Sequence, residues 1–493
     1  LGIVDHLPVL VVILPLLAAP LCLLLHRGEL PRRMALIAAW LTLSMSIALL
    51  WRVSSGEAVS YELGGWAPPW GIEYRVDLLS GYVLLIVAAI AALVLSFAHH
   101  SVDLEVAESN RARFYGIFLL AFAGLAGIIV TGDAFNLFVF LEISSLASYA
   151  LISMGRDRRA LNAAFQYLIM GTIGATFILI GIGFLYMMTG TLNMQDLADR
   201  LPAVSDTRTV RAGLAFLTVG IGLKLALFPL HLWLPNAYAY APSIVSAFLA
   251  ATATKVAVYA LLRFLLDIFG ADFALGEMPV DVLLILLGLA GVLTASLVAI
   301  FQDNVKRLLA YSSVAQIGYV ALGIGLASQT GITAAVLHLF NHALMKGTLF
   351  LAVGAVVYRI GAQRLEDFTG LSRRMPWTMG AIAVGGLSLI GVPPTAGFVS
   401  KWYLVLATLE QGLWPVALLV LLGSVMALVY VWRILEAAYF VATPADTPRE
   451  EAPLSMLLPL GVLTLANVYF GIDTDLTVGL ARQAASLLMG GAA

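Results

Sequence analysis

The chain has 493 residues, of which 61% are hydrophobic and 11% charged, with a formal net charge of −2. A soluble domain carries roughly 25% charged residues, so this composition describes an integral membrane protein of the helical kind and gives no sign of nucleic-acid binding. The single Cys22 excludes an internal disulfide and a cysteine-ligated iron–sulfur cluster, and no Walker loop, GxGxxG after a strand or HExxH is present, so no cofactor and no metal site is expected.

The N-terminal stretch "LGIVDHLPVLVVILPLLAAPLCLLLHRGELPRR" has its positive charges after the apolar part and lacks a basic leader, which predicts a retained first helix rather than a cleaved signal peptide. The missing initial Met reads as a trimmed or alternatively started chain. Apolar runs of about 20 residues, the length that crosses the hydrocarbon layer, predict about fourteen spans. In chain order they cover 8–26, 35–52, 77–98, 113–131, 133–154, 160–188, 208–228, 243–266, 282–301, 305–327, 331–357, 378–408, 413–439 and 453–471. Basic turns hold Arg27, Arg32 and Arg33; Arg156, Arg158 and Arg159; Lys306 and Arg307; and Arg359, Arg364, Arg373 and Arg374. Acidic loops with Glu57, Glu62 and Glu73, and with Asp267, Asp272, Glu277 and Asp281, alternate with them, which predicts both termini outside; the loops at Glu105 and Glu450 are exceptions.

Two spans are expected to break. "GLKLALFPLHLWLPNAY" places Pro229, His231 and Pro235 in one, and "LIGVPPTAGFVSKWYL" places Pro393 and Pro394 in another. Proline removes a helical hydrogen bond and clashes with the preceding turn. The plain alternative is an ordinary membrane packing kink. A lysine accompanies each break, Lys224 before the first and Lys401 after the second. Broken helices at matching places suggest inverted repeats with ion sites between them. The resulting division is 1–112 for the first three helices, 113–267 for one five-helix repeat, 268–440 for the second and 441–493 for the last helix and tail.

Five charges fall within apolar spans: Glu142, Lys224, Lys255, Lys346 and Lys401. A charge at mid-membrane costs at least ~2.5–3.5 kcal/mol, so each must pair or meet water. His338, His342 and Lys346 are four residues apart in "HLFNHALMKGTLFL" and form one stripe on a helix. The bland readings are a structural ion pair for Glu142 and Lys224, snorkelling for Lys255, Lys346 and Lys401, and hydrogen-bonded core histidines. The HxxxH spacing admits a metal, but the residue after His338 is Leu339, so the zinc-protease base is missing. The functional reading is a proton path. A buried lysine holds its proton beside a carboxylate and tends to release it when the carboxylate moves away, and histidine passes protons near neutrality.

The segments "GDAFNLFVFLEISSLASYAL", "GLKLALFPLHLWLPNAYAYAPSIVSAFLAATATKVAVYALLR", "DNVKRLLAYSSVAQIGY", "HLFNHALMKGTLFL" and "GVPPTAGFVSKW" resemble the proton-conducting antiporter-like membrane subunits. That family includes the pumping subunits of respiratory complex I, related hydrogenase subunits and Mrp-type sodium/proton antiporters. The match covers about residues 75–440, and "FNLFVFLEI" together with the length resembles the D-type subunit of the Mrp antiporter most. The resemblance implies an all-α fold of 14 helices with two inverted five-helix repeats and broken seventh and twelfth helices. It implies that Glu142 pairs with Lys224, that Lys255 is the central lysine, that His338, His342 and Lys346 form the polar stretch of the eleventh helix, and that Lys401 serves the second half. Two departures bear on the first half: Asn236 stands where many relatives have aspartate, and Gln166 where some have lysine.

The function expected first is a secondary transporter: one subunit of a hetero-oligomeric sodium/proton antiporter in a bacterial plasma membrane, with A-type and small subunits as partners. A pump subunit of complex I or a membrane hydrogenase is the second reading. A lone channel or receptor has less support, because no ligand-binding ectodomain is evident.

Overall fold

Backbone groups inside a bilayer have no water to bond, so apolar runs must satisfy them internally, and the helix does so within one segment. The computed structural model describes residues 2–361, 363–441 and 448–490. Helices α1 (Leu7–Leu24), α2 (Leu30–Val53), α3 (Leu78–Glu105), α4 (Arg111–Val130), α5 (Ala134–Ser153) and α6 (Arg159–Thr189) come first. A short α7 (Met194–Arg200) leads into α8 (Arg208–Leu225), α9 (Leu234–Tyr240), α10 (Ser243–Ala251) and α11 (Ala253–Leu262). The second half holds α12 (Val280–Ile300), α13 (Val305–Gly325), α14 (Gln329–Ile360), the short α15 (Leu371–Arg374), α16 (Pro376–Ile390), α17 (Ala396–Glu410) and α18 (Trp414–Leu435). The chain closes with α19 (Leu454–Ile472) and α20 (Asp475–Leu488).

Among the described residues, twelve helical segments are long and apolar enough to cross a membrane. The expected seventh and twelfth spans are not among them. The expected seventh, 208–228, covers α8 and the start of a turn but stops short of α9, and the expected twelfth, 378–408, runs over α16, a turn and most of α17. The innermost helix is α14, buried over nearly its whole length against α3, α10, α13, α16, α17, α19 and α20. Its position explains how a helix carrying two histidines and a lysine can sit away from lipid.

The two halves repeat one another in their joints. Asp133 caps α5 by accepting from Asn136 N at 2.7 Å, and Asn304 caps α13 by accepting from Arg307 N at 2.9 Å. Asp133 also bridges to Asn193, three residues after the left-handed Gly190 that ends α6. Asn304 bridges to Arg364, three residues after the left-handed Gly361 that ends α14. The breaks repeat as well. Ala226 (φ 59°) ends α8, and Leu227 N donates to Gly222 O at 2.9 Å; Gly391 (φ 91°) ends α16, and Val392 N donates to Leu387 O at 3.1 Å. Both are Schellman-type closures, which satisfy carbonyls left over at a helix end. The two halves, α4 to α11 and α12 to α18, thus share one arrangement of caps, bridges and breaks.

Several expectations need amending. Pro235 does not break a helix; it lies in the first turn of α9, where its missing N–H costs nothing. The turn lies upstream and contains Pro229 and His231. The eighth span, expected as continuous, is interrupted at Thr252 (φ −125°, ψ −58°), between α10 and α11. Glu73, read as a loop acid, is buried in a hairpin of β1 (Val59–Glu62) and β2 (Glu73–Val76), where it accepts from Ser60 Oγ at 2.6 Å and Asn193 Nδ2 at 3.0 Å. The expected C-terminal tail contains α20.

Gly391 has two reasons to be glycine: its positive φ, and a position where a Cβ would lie 2.9 Å from Lys401 Cδ. Gly391→Ala is expected to destabilise the protein by at least about 1 kcal/mol, from the left-handed backbone alone. Thermal unfolding of the purified complex checks this, and a midpoint equal to the unsubstituted protein's would show that the turn does not constrain the fold.

Candidate functional site: a row of buried amines and imidazoles

The row starts between α5 and α8. Lys224 occupies the last turn of α8, where the partial negative charge of a helix C-terminus favours a cation. Its Nζ donates to Glu142 Oε1 at 3.1 Å and to Ser145 Oγ at 2.8 Å. The lysine side chain is 5% exposed and the glutamate 24%, so the carboxylate is the more accessible partner. Trp233, just past the break, donates its indole N–H to Leu223 O at 2.9 Å and stacks on Tyr167 with ring centres 3.8 Å apart. This fixes the end of α8 beside the amine. A cavity of about 30 Å³, bounded by Ser144, Ser145, Ser148, Tyr167, Lys224 and Ala253, lies between the pair and α11. That space accommodates about one water.

Lys255 is next, fully enclosed on α11. Its ammonium donates to Ala250 O at 2.5 Å and to Thr254 Oγ1 at 3.3 Å. The interruption at Thr252 explains the first contact, since a carbonyl beside a break has no regular helical donor to meet. Lys255 lies within electrostatic range of His338, His342 and Lys346.

The stripe on α14 forms as the spacing predicts. Lys346 is fully buried, donating to Leu309 O at 2.8 Å and to Ser312 Oγ on α13. The rings of His338 and His342 stack with centres 5.8 Å apart. His338 Nδ1 shares a hydrogen bond with Ser400 Oγ at 2.8 Å, while Nε2 of both histidines has no hydrogen-bond partner in the protein. Ser400 precedes Lys401, so the stripe leads directly to the last amine.

Lys401 lies on α17, just past the second break. Its Nζ donates to Leu389 O and Ile390 O, each at 2.9 Å, and to Ser424 Oγ at 3.1 Å. Both carbonyls belong to the last turn of α16. Tyr319 places its ring face 4.7 Å from the ammonium, a favourable cation–π geometry. The break thus supplies a concentrated cluster of backbone dipoles, and α17 carries the amine into it.

The proline positions and His231 lie outside the row of hydrogen bonds. His231 stacks on Phe228 at 5.3 Å, and its Nδ1 has no hydrogen-bond partner. Pro229, Pro393 and Pro394 lie in the turns between helix pieces, and none touches the amines by hydrogen bond. Asn236 Nδ2 donates to Gln166 Oε1 at 2.9 Å, so the two departures from the family pattern contact each other.

Sequence reasoning missed several members. Ser145, Ser312, Ser400 and Ser424 carry no charge and so leave no mark in an apolar span, yet each touches an amine or an imidazole of the row. Lys306, read as a loop charge, is fully buried and donates to Ala241 O at 3.0 Å. Glu105, read as a loop exception, accepts from Ser243 N at 2.9 Å at the start of α10. At the opposite end of the bundle Arg263 binds Asp77 and Asp267, each at 2.5 Å.

The NADH:quinone oxidoreductase/Mrp antiporter transmembrane family model matches residues 131–427. NADH-quinone oxidoreductase subunit N of Desulforudis audaxviator is 45% identical over 486 residues, spanning 95% of this chain and 96% of the relative. The D-type subunit of the Na(+)/H(+) antiporter of Bacillus subtilis is 29% identical over 488 residues, spanning 98% and 97%. A chain in the Mrp complex structure from Dietzia sp. superposes with a TM-score of 0.90 at 26% identity, covering 99% of this chain and 98% of that one. The order of the helices, the two interrupted pairs and this match across more than half of the sequence agree: the chain is a multi-pass membrane protein and belongs to the NADH:quinone oxidoreductase/Mrp antiporter transmembrane family.

Proposed function

We propose that this chain translocates protons as one subunit of a multisubunit membrane complex, along Glu142, Lys224, Lys255, Lys346, His342, His338 and Lys401. One observation carries the reading. Of the four amines in this row, Lys224 alone touches a carboxylate among the described residues, and the other three are held by carbonyls and hydroxyls. Neutral dipoles stabilise an ammonium less than a carboxylate does. Such amines suit loading and unloading of a proton better than permanent pairing. Water is needed between the two imidazoles of the stripe, because they share no hydrogen bond and Nε2 of each has no partner in the protein.

The first drive is exchange with sodium, in which the complex is an antiporter with A-type and small subunits as partners. It is supported by the D-type antiporter relative and the Mrp structural neighbour. The second drive is electron transfer in soluble partners, and the 45% identity to an NADH-quinone oxidoreductase subunit favours it. The subunits that purify with the native complex separate the two: iron–sulfur or flavin proteins mark the redox drive, and small membrane subunits alone mark the antiporter. Both readings place the row in a plasma membrane with the termini outside and the basic turns inside. The two five-helix units, 113–267 and 268–440, are proposed as the two half-paths.

Glu142→Gln is expected to abolish proton movement in vesicles while the complex still assembles, because it removes the carboxylate that pairs with Lys224. Normal transport by that variant would sink the pair as a functional unit.

Lys401→Ala is expected to stop transport. Lys401→Arg keeps a charge whose proton is held too tightly to cycle, so it too should be inactive, and full activity would show that charge alone matters.

His338→Ala or His342→Ala should slow transport several-fold and move its pH profile, since waters can span one missing imidazole. Lys346→Ala should be more severe, and a chelator should change nothing because the stripe offers two imidazoles and no third ligand. Dead histidine variants beside an active Lys346→Ala would overturn the relay.

A further inference from the structure

We propose that the groove between α6, α9 and α13 is a site for one anionic phospholipid, its headgroup phosphate on Arg307 and Arg159 and an acyl chain along the groove. The groove has a volume of about 510 Å³, and its walls include Phe165, Ile169, Leu232 and Pro235. Phe165 is 59% and Leu232 68% exposed, so the apolar walls open outward at span depth rather than into the core. At the end where α6 and α13 begin, the groove continues into a recess of about 240 Å³ that shares Asn236 and Arg307 and adds Arg159 and Tyr240. The order along the surface is therefore apolar walls, then a hydrogen-bonded amide pair, then two guanidiniums. That is the order of chain, glycerol region and phosphate in a phospholipid.

The charges are arranged to receive an anion. Arg307 has no carboxylate partner among the described residues, and its Nε is buried without a hydrogen-bond acceptor. Its guanidinium lies 6.0 Å from the Tyr311 ring centre, a loose contact that leaves the donor fork free. Arg159 is oriented by the Tyr240 ring at 4.6 Å and by Asp157 at 2.6 Å. Asp157 offsets part of the charge on that side, but Arg156 and Arg158 stand on the same exposed turn. A planar fork with five donors matches a phosphate diester, and basic pockets between membrane helices at one leaflet are the chemistry that selects anionic headgroups. A neutral quinone ring would leave the two guanidiniums unanswered. The site lies on α9, so an occupant would brace the helix that follows the first break.

The test uses the intact complex. It is reconstituted in nanodiscs of phosphatidylcholine with and without phosphatidylglycerol, and retained lipid is counted by mass spectrometry after detergent extraction. The unsubstituted complex should retain phosphatidylglycerol over phosphatidylcholine, and added inorganic phosphate should not displace it, because the chain contributes to binding. Each arginine is worth about a five-fold factor, so Arg307→Gln should weaken retention about five-fold and the Arg159→Gln, Arg307→Gln double variant about thirty-fold. Arg307→Lys should retain most of the effect. Leu232→Trp, which fills the exposed wall and leaves both arginines, should also release the lipid, and this separates a lipid from a free anion. Equal retention by the double variant overturns the proposal. So does a neighbouring subunit that crosslinks through Leu232→Cys in a complex whose groove holds no lipid.

Discussion

Carbonyl groups at interrupted helix ends are the constraint on which the rest of this structure depends. An ammonium in hydrocarbon is costly, and an unbroken helix has no carbonyl to spare for it. Here Lys401 meets two carbonyls that terminate α16, Lys255 meets the carbonyl next to the Thr252 interruption, and Lys224 lies in the terminal turn of α8. Three lysines are matched to three irregularities of the backbone. Lys346 is the exception, taking its carbonyl from the unbroken α13 with help from Ser312.

The same constraint makes the row uneven. Glu142 gives the first amine a full negative charge, whereas the remaining amines are hydrogen-bonded to neutral carbonyls and hydroxyls. The row is therefore asymmetric, with its one ion pair among the described residues at one edge. The histidines occupy the interval between Lys346 and Lys401, where they stack on each other and His338 meets Ser400 near the start of α17.

Much of this was legible in the sequence, for a physical reason. A charged or imidazole side chain inside an apolar span is conspicuous because it is expensive, so Glu142, the four lysines and the stripe stood out, and the prolines marked the two breaks. The hydroxyls of Ser145, Ser312, Ser400 and Ser424 cost little in a helix and left no comparable trace. The interruption at Thr252 carries no proline and no glycine, so nothing in its local chemistry announces it. Lys306 and Glu105 sit at span ends, where a count of residues cannot distinguish a side chain turned inward from one in water. The hairpin was hidden by its company: Glu62 and Glu73 read as loop acids, although Val59, Tyr61, Tyr74 and Val76 alternate as strand residues do.

The repeated closure at Ala226 and Gly391 separates the shape of the turn from the charge beside it. Counted from those two residues, Lys224 stands two positions before the first turn, where the second has Leu389. Lys401 stands ten positions after the second turn, where the first has Asn236. One backbone has therefore been used twice with its amine on opposite flanks. A bend of this kind is therefore indifferent to which flank carries the charge: the side chains around it, not the turn itself, decide where an ammonium is housed.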